Sequence, residues 1–352
     1  MFYKLKFFSP WVALSVLIFC IFASPIFIVL GSLFGDYSNN WIHLYNYVLG
    51  GYLFNSLFLI LGVSIISLVL GIGSAWLITN YNFFGKNFFD WALILPLAVP
   101  PYILAYTFTG LFDSYGTANN LIRELFVLDP SYIFFPNVRN IYGAIIVFSF
   151  TLYPYIYLAT RIAFLNQSKS LREVGETLGL NKLGVFFKLT LPMIRPAIIG
   201  GLMLVIMETL SDFGAVEHFS VQTFTTGIFR TWFAMGSPSG ALQLAACLFV
   251  IAALLVTLEE MSRRGQLANP VAPVPVELEA LSGWRSWMAS LICLIPVVIG
   301  FIVPVTALLF DAVAEGDALD TERLVSLIWT AACSTPESDK SPSSVNSPHG
   351  MV

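Results

Sequence analysis

Seven long apolar runs restrict what this chain can fold into more than any other feature does. A helix needs about 20 mostly apolar residues to cross the hydrocarbon core of a bilayer. Lipid offers backbone groups no hydrogen-bond partner, and the runs are continuous rather than alternating, so we predict helices and exclude a barrel. The fold class is therefore an all-α polytopic membrane protein. We place the spans at residues 11–34, 53–79, 91–112, 141–164, 196–216, 241–258 and 287–310.

The composition agrees with a chain whose solvent is the membrane. It is 57% hydrophobic and 11% charged, whereas soluble proteins have about 25% charged residues. The first run is too long for a cleaved signal, so we interpret it as an uncleaved first helix. The four cysteines of the chain are spread out, with no C-x-x-C pair that would indicate zinc or redox chemistry.

Lys and Arg indicate the orientation, because cytoplasmic loops collect positive charge. A cytoplasmic N-terminus leaves few of them outside, namely Arg123, Arg139 and Arg230. The residues that this orientation places inside are Lys4, Lys6, Lys86, Arg161, Lys169, Arg172, Lys182, Lys188, Arg195, Arg263, Arg264 and Arg285. We therefore predict a multi-pass protein with its N-terminus in the cytoplasm.

Composition also divides the chain into segments. Residues 1–52 hold the first transmembrane helix and an outer loop, and residues 53–260 hold the body of a membrane unit. Residues 261–285 are rich in proline and charge, which suits a cytoplasmic linker. Residues 286–330 then begin a second unit. The Ser- and Pro-rich tail, 331–352, is expected to be disordered and to reflect a frameshift or a truncated gene.

The loop after the fourth span, residues 171–196, carries the most informative pattern. Residues 173–178 are predicted to form a short helix that Gly179 ends, because glycine adopts the left-handed conformation without steric cost. A second short helix follows, and Pro192 is predicted to end it. Its apolar residues are Leu183, Phe186, Phe187 and Leu189, and its basic residues are Lys182 and Lys188.

Two interpretations of this amphipathic loop fit equally well. Short helices with apolar anchors at helical spacing dock into grooves on soluble partners. The same character is typical of a helix that lies among lipid headgroups. The residues alone leave both open.

The spacing within this loop, E-V-G-x-x-x-G, nine residues, then L-x-L-P, resembles the EAA loop of ATP-binding-cassette (ABC) importer permeases. Val174 and Gly175 stand where that family has two alanines. In the family, the loop forms coupling helices that sit in a cleft of the ATP-hydrolysing subunit. The resemblance therefore implies a six-helix type I permease unit in a bacterial inner membrane. It assigns the coupling role to Glu173, Gly179, Leu189 and Pro192.

The resemblance also implies partners and a substrate. The partners are an ATP-hydrolysing ABC subunit, a substrate-binding protein, a second permease unit and the lipid bilayer; ATP is hydrolysed by the partner, so this chain needs no cofactor. Residues 207–233 resemble the ferric-iron transport permeases, whose two-unit chains also match residues 53–310 in outline. On this basis the chain stops after the first permease unit. Thiamine and other small-solute permeases remain the alternative.

Two acidic residues are candidates for the substrate path. Glu208 and Asp212 are four residues apart, which places them on one face of a predicted helix, and we expect Glu208 to lie deep in the span. Ionisable groups inside a membrane mark substrate or ion paths, but a buried carboxyl also holds helices together by hydrogen bonds. Oxygen ligands suit a hard trivalent cation. Tyrosines that could add such ligands, or could simply be interfacial anchors, are Tyr102, Tyr106, Tyr153 and Tyr155.

Several function classes are excluded by missing motifs. No G-x-x-x-x-G-K-[ST] phosphate loop occurs, so the chain is not itself the ATPase. His43, His218 and His349 are far apart in sequence, so we assign no metal site and no enzymatic activity. The sequence has no basic patch that would indicate nucleic-acid binding. An ion-driven secondary transporter also buries carboxylates near the midplane, but neither it nor a membrane scaffold requires the coupling loop.

Overall fold

The computed structural model describes residues 10–35, 41, 44–127, 129, 132–166, 177, 179–263, 278–314, 326 and 329, and structural statements below concern these residues. The chain divides into two compact units, Met1–Pro304 and Val305–Val352, each treated by itself. The predicted tail, 331–352, and most of the linker lie outside the described residues. Nearly all of the described structure belongs to the first unit.

The described residues form fourteen α-helices and one pair of very short strands. The helices are α1 Pro10–Gly31, α2 Leu49–Asn80, α3 Lys86–Ala92, α4 Pro101–Phe112, α5 Thr117–Phe126, α6 Ile141–Leu165, α7 Lys182–Val185, α8 Leu191–Met193, α9 Arg195–Ser211, α10 Gly214–His218, α11 Phe224–Phe229, α12 Pro238–Arg263, α13 Trp284–Val297 and α14 Val303–Ala314. Strand β1, Tyr81–Asn82, pairs in parallel with β2, Glu279–Ala280. Four π-helical segments extend or join helices, at Leu44–Val48, Phe186–Thr190, Arg230–Ala234 and Val298–Ile302.

Five helical segments in this part of the chain are long and apolar enough to cross a membrane, and two bent pairs raise the number to as many as seven. This agrees with the seven predicted spans. The second span starts earlier than predicted, because helix runs unbroken from Leu44 to Asn80. The predicted segment boundary between residues 52 and 53 therefore falls inside α2.

The centre of the unit is a close contact of α2, α6 and α9. Glycines allow these helices to approach: a Cβ atom added to Gly71 would lie 2.8 Å from the Cβ of Ile156. On the other side of Ile156, a Cβ at Gly201 would lie 2.9 Å from its Cα. Small residues at helix contacts are the usual means of association in membranes, because burial of apolar surface gives little advantage there.

The third span is broken, which corrects the single helix predicted over residues 91–112. Segments Lys86–Ala98 and Pro101–Phe126 meet at 90°. The physical cause is proline: Pro96, Pro100 and Pro101 lack the N–H that would bond the preceding turn, and proline disfavours helix in the residue before it. Proline is a common cause of helix kinks, and here the kink is strong enough to divide the span.

The seventh span begins with α13, which packs inside the first unit. Buried Ala289, Cys293 and Val297 of α13 share one apolar cluster with Ala75 of α2 and Leu93. Backbone Leu281 N–H donates to Asn82 O at 2.9 Å beside the strand pair. This contact places the end of α2 and the start of α13 on the same side of the unit. That residues 286–330 begin a second permease unit stays a prediction.

Candidate functional site

The loop predicted to couple the chain to a partner is described only in part. Glu173 lies outside the described residues. Gly179 is exposed and has φ +73°, the left-handed conformation that the sequence predicted for it. A Cβ atom there would meet nothing within 4 Å. Glycine is therefore favoured by the backbone conformation alone, since side chains rarely adopt this φ.

Asn181 starts the helix that follows, and the sequence reasoning missed it. Its side-chain Oδ1 accepts the Gly184 N–H at 2.8 Å, and its carbonyl accepts the Val185 N–H at 2.9 Å. Asparagine is among the preferred residues at this position, because a short polar side chain satisfies an orphan N–H of the first turn. The sequence signal for this helix start was the Asn that stands two residues after Gly179.

Residues 182–193 form one continuous helical segment, which we call the loop helix. It comprises α7, the π-helical turn Phe186–Thr190 and α8. The helix predicted to end at Pro192 ends one residue later, at Met193, and the chain turns at Ile194. The wider π-helical turn lies just before the proline, where the missing N–H interrupts regular α bonding. The loop helix and α9 then meet at 65°.

The inner face of the loop helix is attached to the membrane unit. Val185, Thr190 and Ile194 are buried. The Phe186 ring lies 4.6 Å from the Trp76 ring, centroid to centroid, in an edge-to-face contact. Trp76 in turn contacts Phe164 at 5.5 Å.

The outer face of the loop helix is exposed and largely apolar. Phe187 and Met193 are each 60% exposed, and Lys188 and Pro192 are exposed beside them. Leu189 is only partly exposed. Of the predicted coupling residues within the described part, Gly179 and Pro192 thus face outward and Leu189 lies at the edge. Exposed apolar residues next to a lysine suit a protein partner or the headgroup region of a membrane.

A polar clamp next to this region was not anticipated from the sequence. Arg161 of α6 binds Asp90 of α3 through two hydrogen bonds of 2.7 Å. The Tyr157 hydroxyl donates to Asp90 O at 2.9 Å, and the buried Tyr153 hydroxyl donates to Leu93 O at 2.8 Å. These bonds fix the start of the broken span to α6. They also give Tyr153, a candidate metal ligand in the sequence, a structural partner.

The acidic pair is arranged differently from the prediction. Helix α9 ends at Ser211, so Glu208 lies in its last turn, and Asp212 has the extended ψ of 132°. The two residues therefore do not share one helix face, and Glu208 is not deep in the helix. The reason is local: the Asp212 carboxylate accepts N–H groups of Ala215 at 2.8 Å and Val216 at 3.3 Å in α10. Such side-chain bonds to the backbone compete with helix.

Glu208 belongs to an exposed stripe on α9. Leu204, Met207, Glu208 and Ser211 are all exposed, and their spacing puts them on one helix face. A carboxylate on that surface is costly to expose to lipid. The stripe is therefore the part of α9 that requires either a protein neighbour or water.

Two of the candidate tyrosines meet at a histidine. The His218 ring contacts Tyr102 edge to face at 5.8 Å and lies 6.3 Å from Tyr106. His218 Nε2 and Thr109 Oγ1 share a hydrogen bond of 2.7 Å. Burial lowers the pKa of His218, and nearby Arg139 lowers it further. Within the described residues, no group of three or more His, Cys, Asp and Glu side chains could hold a metal ion.

Solved structures support the fold. A bacterial ABC transporter involved in the import of the acidic polysaccharide alginate has a TM-score of 0.56 at 19% identity, covering 72% of this chain and 93% of that chain. The same type of transporter, in complex with an alginate pentasaccharide-bound periplasmic protein, has a TM-score of 0.52 at 20% identity. The predicted all-α polytopic fold of a type I permease is confirmed.

Relatives with described functions carry different substrates. The Fe(3+)-transport system permease protein FbpB 2 of Haemophilus influenzae is 30% identical over 202 residues, 57% of this chain, which spans only 35% of that relative. The molybdenum permease ModB of the same organism is 29% identical, with 57% of this chain and 87% of that protein covered. The sulfate permease CysT of Salmonella typhimurium is 29% identical, with 44% and 52% covered.

The match to a protein family extends over more than half of the chain. Residues 67–265 match the family described as the binding-protein-dependent transport system inner membrane component. This range contains the loop helix, the clamp, the broken span and the Glu208 stripe. Transport permeases of this kind are not enzymes, in agreement with the predicted lack of catalytic activity. The chain belongs to the family of binding-protein-dependent transport system inner membrane components.

Proposed function

We propose that this chain is the permease subunit of an ABC importer and that a separate ATP-hydrolysing subunit docks on the loop helix. The two-faced geometry of that helix carries the proposal. Its inner face is buried against the membrane unit, whereas Phe187, Lys188, Pro192 and Met193 point outward. An interfacial helix among headgroups would not need the EAA spacing that precedes and includes this surface.

In this mechanism, ATP binding closes paired ATPase subunits and the loop helices move with them. The clamp at Asp90 and Arg161 holds the start of the broken span to α6, so a displacement of this region is passed on to the membrane helices. The substrate path then opens to the other side. Glu173, Gly179, Leu189 and Pro192 remain the proposed coupling residues.

A second permease unit is needed, because one unit leaves the Glu208 stripe uncovered. We propose that the stripe faces a path between two units. The sequence supports such a repeat: residues 11–34 and 287–310 align without gaps. The pairs of identical residues are Trp11 and Trp287, Ala13 and Ala289, Ile26 and Ile302, Val29 and Val305, Leu33 and Leu309, and Phe34 and Phe310. The first of these runs is only 6% buried here.

Ferric iron is the substrate that we propose, delivered by a substrate-binding protein outside the membrane. A carboxylate such as Glu208 attracts a cation and repels molybdate or sulfate, the anions suggested by other relatives' names. A relative named as a Fe(3+) permease supports this choice. The alternative substrate is another small solute, thiamine included. Whichever substrate is carried, Asp212 contributes to its path only indirectly, because its carboxylate caps α10.

The proposal also places the protein in a bacterial inner membrane with a cytoplasmic N-terminus. The outer side then contains α5 and α11, and their surroundings are where the substrate-binding protein would dock. Residues 113–140 and 218–240, with Trp41, are the outer material available. An ion-driven transporter remains the competing class, and dependence on a separate ATPase separates the two.

The experiment that tests this function replaces Gly179 by Asp in the complete transport complex. The change strains the left-handed backbone and adds charge to the coupling loop. We expect ⁵⁵Fe(III) uptake and binding of the ATPase subunit to fall together. Gly283→Asp is the matched control, because Gly283 also has a positive φ of 63° and open space around it, but lies between β2 and α13, outside the coupling loop.

Each outcome has a distinct meaning. If Gly179→Asp binds the ATPase subunit and imports iron as well as the control does, the coupling function is wrong and an ion-driven transporter is favoured. If the native complex imports thiamine or an oxyanion and not iron, the permease function stands and the substrate is corrected.

A further inference from the structure

Two adjacent phenylalanines of the loop helix have opposite surroundings. Phe186 packs on Trp76, with 4.6 Å between ring centroids. Phe187 is 60% exposed on the outer face. The two rings contact each other edge to face at 5.0 Å. One side chain therefore touches the membrane unit, and its neighbour is available to a soluble partner.

The contact made by Phe186 reaches two central helices. Trp76 belongs to α2 and also contacts Phe164, in the last turn of α6. Helices α2 and α6 approach closely at Gly62 and Gly71, where added Cβ atoms would fall within 3.0 Å of Ile145 and Ile156 side chains. Such tight packing transmits displacement because packed interiors have low compressibility.

The covalent route from the loop helix to the membrane unit is less direct. The loop helix joins α9 through Ile194, across a bend of 65°, and a π-helical turn interrupts it at Phe186–Thr190. A bend and a wide turn are places where a helix changes direction readily. The rings of Phe186, Trp76 and Phe164, which we call the aromatic link, provide a second connection that starts at the first residue of the wide turn and bypasses the bend.

We propose that Phe186 is a positioning residue that transmits movement of the loop helix to α2 and α6 through the aromatic link, while Phe187 contributes to binding of the ATPase subunit. This inference rests on the proposed function and goes beyond it. The EAA spacing includes neither phenylalanine among its defining residues. The division of roles follows from the opposite exposure of two neighbouring rings.

The test compares Phe186→Ala with Phe187→Ala in the complete complex, reconstituted in proteoliposomes. Three quantities are measured: affinity for the ATPase subunit, ATP hydrolysis rate, and substrate imported per ATP hydrolysed. For Phe186→Ala we expect unchanged affinity and a fall in import per ATP of at least about threefold. For Phe187→Ala we expect affinity to fall by about tenfold, with normal import per ATP in complexes that do assemble.

Further variants separate transmission from stability. Phe186→Tyr keeps the ring and should restore import per ATP, whereas Phe186→Leu keeps apolar volume without the ring and should not. Trp76→Leu should reproduce the Phe186→Ala phenotype, because it removes the same contact from the other side. The unfolding temperature of each variant is measured in detergent, so that import per ATP is compared among variants that remain folded.

The inference is overturned if Phe186→Ala imports normally per ATP, or if it loses the ATPase subunit as Phe187→Ala does. Equal behaviour of Phe186→Tyr and Phe186→Leu would also contradict it, because the ring would then be irrelevant. Normal ATPase binding by Phe187→Ala together with Gly179→Asp would instead refute the proposed docking surface. The two proposals therefore fail in distinguishable ways.

Discussion

The carboxylates Glu208 and Asp212 show how much a single residue's role depends on where its helix ends. The sequence places both at helical spacing, but Asp212 bonds the backbone of α10 and Glu208 remains on an exposed stripe. The acidic character was visible in the sequence. The end of α9 at Ser211 was not, because it depends on a capping bond that forms only when α10 is in place.

Replacing each carboxylate should therefore give a different phenotype. Asp212→Ala is expected to lower the free energy of unfolding by about 1 kcal/mol, because it removes a helix-capping acceptor. Glu208→Gln should leave stability unchanged and reduce cation uptake. Thermal unfolding in detergent and radiolabelled uptake measure the two effects. Loss of uptake without loss of stability in Asp212→Ala would contradict the structural role.

Tyr157 offers a test of the clamp. Its ring is buried and its hydroxyl donates to Asp90 O. Tyr157→Phe removes this bond and the longer one from the hydroxyl to Asp90 Oδ1 at 3.4 Å, so we expect the free energy of unfolding to fall by about 1 kcal/mol. Tyr102→Phe is the control, because Tyr102 is half-exposed. Equal unfolding midpoints for both variants would show that the Tyr157 hydroxyl contributes nothing to stability.

At the scale of elements, apolar length predicts the straight spans better than the broken ones. Residues 141–164 were predicted as a span, and α6 is Ile141–Leu165. The third span was predicted as one segment, although its prolines divide it at 90°. Prolines identify the site of a break, but the bend angle depends on neighbours such as Tyr153 and Arg161, which are distant in sequence.

Glycine contacts between helices give a sharper prediction at this scale. Gly71→Val should destabilise the unit by about 1–3 kcal/mol, because the added side chain overlaps Ile156. Gly73→Val, two residues later in the same helix, meets nothing within 4 Å and should change stability little. Unfolding midpoints in detergent distinguish the two. A similar loss in both would indicate helix propensity rather than packing as the cause.

For the whole molecule, the distribution of positive charge predicts an orientation that labelling can test. Tyr115→Cys lies outside in our proposal, and Met193→Cys lies in the cytoplasm; both native side chains are well exposed. A membrane-impermeant maleimide should label the first in intact cells and the second only after permeabilisation. The unsubstituted chain measures labelling of native cysteines. The reverse pattern would invert the orientation.

The fold class and the seven-span pattern could be predicted from the sequence, and the coupling role of the loop stays a prediction. Sequence reasoning did not find the strand pair or the aromatic link, because both join residues that are far apart in sequence. Trp76 and Phe186 look like ordinary apolar residues until α2 and the loop helix are packed together. Pairwise contacts of this kind leave no periodic signal.

The contacts beside the strand pair can form only late in the synthesis of the chain. The Phe84 N–H donates to Ser286 Oγ at 3.0 Å across 202 residues, and Ser290 Oγ donates to Phe84 O at 2.6 Å. A ribosome adding about 5–20 residues per second needs at least about 10 seconds to supply these partners. During that interval the turn between α2 and α3 lacks these partners. Proteases that cleave incompletely folded membrane proteins would therefore encounter an incomplete turn at residues 81–85. A substitution at Ser286 or Ser290 would leave the same turn incomplete, although the substituted residue lies about 200 residues away in sequence.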